Sequence, residues 1–124
     1  MQATLFEPAT QTAPAVKELT RQDIERIIYS NGGGQPATII FHEDPGHGWL
    51  QVPHSLLKSL KIDKKISRYS YRDTHNAYLE EDCDLSTFMA AIGIKAGSQA
   101  NKDFWSICEQ VFKEDTPIRN KKQY

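Results

Sequence analysis

Two runs rich in β-branched and aromatic residues, ATIIFHE and GWLQV, flank the tetrapeptide DPGH, and together they commit residues 37 to 52 to an antiparallel hairpin. Pro45 and Gly46 stand where a type II turn places a proline and then a glycine. Side chains alternate between the two faces of a strand, so Ile39 and Phe41 share one face with Leu50 and Val52. Ile40, His42, Trp49 and Gln51 occupy the other. One face is therefore apolar and the other mixed, and a chain carrying such a hairpin must cover the apolar face. Pro53 ends the second strand.

A second hairpin is expected in ISRYSYRDTHNAYLEED, with DTHN as its turn and Tyr69, Tyr71 and Tyr78 as β-compatible aromatics. Helical patterns surround the two hairpins. In LTRQDIERIIYSNGGG, Thr20 caps with Asp23 three residues on, Leu19 staples against Ile24, and Asn31 with Gly32 marks the stop. HSLLKSLKI turns Leu56, Leu57 and Leu60 inward, with His54 or Ser55 at the cap. Asp84 or Ser86 caps LSTFMAAI, which Gly93 ends. DFWSICEQVFKE carries Phe104, Ile107, Cys108, Val111 and Phe112 at amphipathic spacing, the strongest helical period in the chain. DTPIRNKKQY reads as an extended tail. The expected class is α+β, a small antiparallel sheet of about four strands made of two hairpins and packed against helices, with the Phe104 to Phe112 helix on the sheet.

With 124 residues the chain has the length of one domain. Residues 1–18, rich in Ala, Thr, Gln and Pro, read as a flexible arm in which Leu5 and Phe6 are the docking candidates; residues 19–124 form the single domain, with GGGQP as a hinge behind its first helix. A formal charge of -1 and a hydrophobic fraction of 39% describe a globular protein, not a general nucleic-acid binder. No apolar run is long enough to span a bilayer, and a cytoplasmic setting is expected. Cys83 and Cys108 match no zinc-ribbon spacing and read as reduced, partly buried thiols.

At HGWLQVP, ISRYSY, AYLEEDCD and the later PIRN the chain resembles a family of short, uncharacterised proteins of bacteria, plasmids and phages. The likeness runs from about Gly46 to Tyr124 and leaves the first helix and arm outside it; THN at the second turn and KAGSQANKDFWSICEQ are local variation. It implies the setting of a small accessory protein and brings no catalytic residue with it.

Chemistry must then be sought in the residues themselves. His42, Glu43 and His47 around the first turn are the candidates for a small metal-dependent hydrolase, but with His54 they match neither H-E-x-x-H nor finger spacing, so no metal and no cofactor is expected. Cys108 lies on the core period. Cys83 sits among Glu80, Glu81, Asp82 and Asp84, which raise a thiol's pKa and suppress the thiolate that a nucleophile needs. NGGGQP precedes a strand, so it aims no helix N-terminus at a phosphate. No catalytic set emerges.

What stands out instead is the acidic run. Glu80, Glu81, Asp82 and Asp84 read either as a strand end and helix start or as a surface for a basic protein partner. Trp49, Tyr69, Tyr71 and Arg68 add an aromatic and basic surface suited to protein contact or base stacking, although alternation alone leaves its face open. Arg119, with Lys121 and Lys122, closes over the acidic edge or meets a phosphate. The expected activity is non-enzymatic binding or regulation through a protein partner, with nucleic acid permitted but not favoured. An inhibitor of a host defence complex, of the anti-CRISPR kind, is the first alternative, and the His42/His47 hydrolase the second.

Overall fold

The structure, a computed structural model, describes residues 18–30 and 38–124. The expected arm, with Leu5 and Phe6, the Asn31–Gly32 stop and the GGGQP hinge lie outside the described residues, apart from Glu18, whose Oε1 accepts the Ala100 amide at 3.3 Å.

Among the described residues six strands form one sheet. In chain order they are β1 (Ile40–Glu43), β2 (Gly48–Pro53), β3 (Tyr71–Arg72), β4 (Asn76–Glu80), β5 (Glu109–Phe112) and β6 (Lys122–Gln123), and across the sheet they run β5-β1-β2-β4-β3-β6. The two expected hairpins form the inner four strands, all antiparallel. The expectation of about four antiparallel strands is corrected at both edges. β5 joins β1 in parallel, with Ile40 opposite Glu109, and β6 joins β3 antiparallel, with Tyr71 opposite Gln123.

The first addition comes from a segment expected to be helical, the second from the expected extended tail. The helix expected over Phe104 to Phe112 ends early: α4 spans Gln99–Ile107, Cys108 turns to an extended conformation, and the next four residues enter the sheet. Helical spacing does continue through Val111 and Phe112. The unpaired outer edge of β1 offers the backbone a ladder, however, and EQVF carries β-compatible side chains. Phe112 is left 56% exposed, so the last two apolar positions of that period do not reach the core. The expected extended tail is a 3-10 turn over Pro117–Asn120 followed by β6.

The face that carries Phe41, Leu50, Val52, Ala77 and Leu79 holds the main core, as the alternation predicts. Four helices contribute to it: α1 (Arg21–Tyr29), α2 (His54–Ser59), α3 (Leu85–Ile92) and α4. Phe104 meets Phe88 at 6.0 Å between ring centroids, and Trp105 stands edge-on to Phe41 at 5.2 Å. α1 opens on the expected capping box, in which Thr20 and Asp23 exchange side-chain-to-amide bonds at 2.9 and 3.1 Å. α2 takes Pro53 as its N-cap and has no side-chain cap; His54, expected there, instead donates from Nε2 to the Asp73 carbonyl at 2.8 Å. α3 ends on Gly93, whose φ of 97° suits a glycine.

On the opposite face a second, smaller cluster gathers. Ile118 lies on Trp49 and Tyr78, with Tyr71 beside them. Residues 117–123 thus form a strap across the mixed face, and Trp49, read from sequence as a candidate exposed aromatic, is 2% exposed beneath it. Ile118 gives the strap an apolar anchor that covers what alternation would have left wet.

Candidate functional site

The start of β2 and the end of β4 are neighbours in the sheet, with Trp49 opposite Glu80. This register sets the first hairpin's turn against the acidic run. In the turn, Gly46 does not adopt the left-handed conformation that a type II turn requires. Asp44 organises it instead: its Oδ1 accepts the amides of Gly46 and His47, both at 2.8 Å. His47 is thereby aimed at Glu80, and its Nδ1–H donates to Oε2 at 3.0 Å. Glu80 Oε1 accepts the Asp82 amide at 2.8 Å, which fixes the carboxylate from its other side. One ligand atom each from His47, Glu80 and Asp82 lies within 4.8 Å of the other two.

Asp84 shapes the adjoining wall. It is buried at the start of α3, yet makes no capping bond; its carboxylate accepts the Ser67 amide at 3.0 Å, the Ser67 hydroxyl at 2.7 Å and the Ser70 hydroxyl at 2.5 Å. Ser70 Oγ in turn accepts the Glu80 amide at 3.0 Å. Loop 67–70 is so held to the end of β4. Tyr69 stands out from this loop at 61% exposure, and Tyr71 follows it into β3, its ring 6.3 Å from that of Trp49.

The strap supplies the remaining side. Arg119 forks onto Asp44, Nε to Oδ2 at 2.7 Å and Nη2 to Oδ1 at 3.1 Å, and its guanidinium lies 5.0 Å from the centre of the Trp49 ring. Hydrogen bonding to Arg119 is the main reason that Asp44's carboxyl is held far below the usual carboxylate range. Lys121 reaches Asp73 at 3.3 Å and lies over Tyr78. Burial acts to raise Asp73's pKa, but hydrogen bonds from Tyr78, Asn76, Lys121 and His75 outweigh it and depress the group. These cations, expected to close over the acidic run, pair with Asp44 and Asp73 instead.

His47, Trp49, Tyr69, Tyr71, Glu80, Asp82, Cys83 and Arg119 together line one open cleft of about 360 Å³. Most of the residues expected to meet a partner thus converge. Within the cleft Arg119 is neutralised by Asp44, whereas Asp82 is exposed and its carboxylate makes no hydrogen bond or ion pair among the described residues. Trp49 Nε1 is buried without a hydrogen-bond partner among the described residues. Glu81 does not join the cleft. It leaves the strand end toward the helix layer, where it lines a separate groove with Leu85, Met89 and Trp105. Partial burial, then the charges of Asp82, Glu80 and Glu43, raise its pKa. The acidic run is therefore divided: Glu80 and Asp84 are internal, Asp82 faces the cleft and Glu81 faces the helices.

Neither His42 nor Glu43 belongs to the group that His47 forms with Glu80 and Asp82. His42 donates from Nε2 to Gln51 Oε1 at 2.8 Å, and the pleat puts Glu43 on the opposite face. His47's carboxylate neighbours come from 33 and 35 positions further along the chain, a relation that local spacing does not reveal. Cys83 is exposed, and desolvation together with a hydrogen bond and charge from Glu80 raises its pKa. Burial pushes Cys108 up to about 12. The sequence names Asp44 only as one of the polar residues around the first turn and gives no role to Ser67, Ser70 or Asp73; the available signals were a polar residue just before each turn and two serines in ISRYSY.

No family model, curated protein or solved structure matches the chain. Among the described residues no helix is long and apolar enough to cross a membrane.

Proposed function

We propose that this chain is a non-enzymatic binding or regulatory module that meets a protein partner through the cleft between the first turn, loop 67–70 and the strap. The observation that carries the reading is Tyr69, 61% exposed at the rim of a cleft that also contains Trp49, Tyr71 and the unpaired carboxylate of Asp82. Large exposed aromatics are costly to leave in water and are enriched where proteins meet. A carboxylate beside aromatic rings favours a lysine or arginine from the partner, through charge pairing and cation–π contact together. Arg119 does not oppose this, because Asp44 already compensates its charge.

The sequence likeness described above supports an accessory role in a bacterium, plasmid or phage, within which inhibition of a host defence complex is one form of partner binding. A photo-reactive residue in place of Tyr69, in cells producing the chain, tests the reading. A discrete crosslinked adduct is expected, weakened by Asp82→Lys. Crosslinking no greater than from exposed Gln22 on α1 would exclude the cleft as the partner surface.

A further inference from the structure

We propose that His47, Glu80 and Asp82 form a binding site for a divalent first-row transition ion of the zinc class. Two ligands about 2.1 Å from a shared ion, at tetrahedral to octahedral angles, sit roughly 3.0 to 3.4 Å apart. His47 Nδ1 and Glu80 Oε2 are 3.0 Å apart, so an ion can take the place of the proton between them with little movement of either group. The third ligand lies within 4.8 Å of both, on the exposed side chain of Asp82, and among the described residues no hydrogen bond or ion pair has to break for it to rotate inward.

The supporting shell is already built. Glu80 is the buried member, its side chain 9% exposed, and its other oxygen is occupied by the Asp82 amide. Asp44 fixes the backbone of His47 through two amide bonds, and Asp44 is itself clamped by Arg119. Ligands held by such outer contacts lose little freedom when an ion binds. One imidazole and two carboxylates make a borderline donor set, which suits Zn²⁺, Co²⁺ or Mn²⁺ better than the all-oxygen shell that Ca²⁺ prefers. With His47 half exposed and Asp82 exposed, the remaining coordination positions are open to water or to a donor from a docked molecule.

Among the described residues this is the one grouping of three such side chains, and it uses neither His42 nor Glu43. The site shares Asp82 with the partner reading but is tested apart from it, because an ion titration needs only the chain and the crosslink at Tyr69 needs no added metal.

The test is calorimetric titration of the full chain with zinc chloride, paired with the visible spectrum of the Co²⁺ form. One ion per chain is expected. His47→Ala should weaken binding by roughly 100-fold or more and Asp82→Asn by at least about tenfold. Both changes are at accessible positions, and circular dichroism confirms that each variant is folded. His42→Ala should bind as the parent does. Absence of binding, binding retained in His47→Ala, or binding lost in His42→Ala would overturn the assignment.

Discussion

A single missing methyl group shapes the first hairpin. A Cβ on Gly48 would fall 2.5 Å from the Phe41 ring and 3.0 Å from Glu81 Oε2, and Phe41 is packed edge-on against Trp105. Gly48→Ala should therefore lower stability by roughly 1 to 3 kcal/mol in chemical denaturation, since the ring has no free space to enter. The acidic run separates at the same scale. Asp84→Asn disrupts a buried carboxylate that receives three hydrogen bonds, and we expect a loss of roughly 2 to 4 kcal/mol. Glu81→Lys and Asp82→Lys, at exposed positions, should move stability by no more than about 0.5 kcal/mol, while Asp82→Lys weakens partner capture with a strong salt dependence. Equal losses of stability from Asp84→Asn and Asp82→Lys would show that the run has one structural role after all. Glu81 adds a signature of its own: its native pKa lies above the unfolded value, so its contribution is favourable at low pH and is lost as pH rises through the native value.

Among the elements, the strap is held by a different balance of forces from the helices, whose inner faces are apolar. Ile118 supplies one buried side chain, and Asp44–Arg119 and Asp73–Lys121 supply two charged fastenings. Both aspartates have native pKa values below their unfolded values, so the stability they confer is complete above about pH 4 and is lost as pH falls through the depressed native values. The stability difference between the parent and Asp44→Asn, followed by thermal melting from about pH 7 downward, should accordingly shrink below about pH 4. A difference constant into strong acid would refute the charged fastening. Ile118→Ala should cost roughly 2 to 5 kcal/mol at any pH. The strap also marks where sequence reasoning stopped. Period-2 alternation identifies the inner hairpins because each strand is half buried by a partner close in sequence. PIRN and KQ are too short to show a period, and EQVF is joined to β1 only by a pairing across most of the domain. The cleft was legible residue by residue, in Trp49, Tyr69, Tyr71, Asp82 and Arg119. Its closure by His47 and its support by Asp44 and Asp84 depend on tertiary register.

At the scale of the whole molecule, both outer strands of the sheet come from residues 109–123, and both join strands laid down much earlier in the chain. Contacts between distant segments form late, because the loop that joins them must be closed first. The inner hairpins should therefore dominate the folding transition state. Val52→Ala is expected to slow refolding, whereas Ile118→Ala should mainly accelerate unfolding; stopped-flow kinetics that show Ile118→Ala slowing refolding by the larger factor would contradict this order. On the ribosome the same arrangement has a cost. Until residues 109–123 emerge, a nascent four-stranded sheet presents bare backbone on two sides, each able to recruit another growing chain. Slowing translation just before that segment should then increase aggregation during synthesis without altering the finished protein.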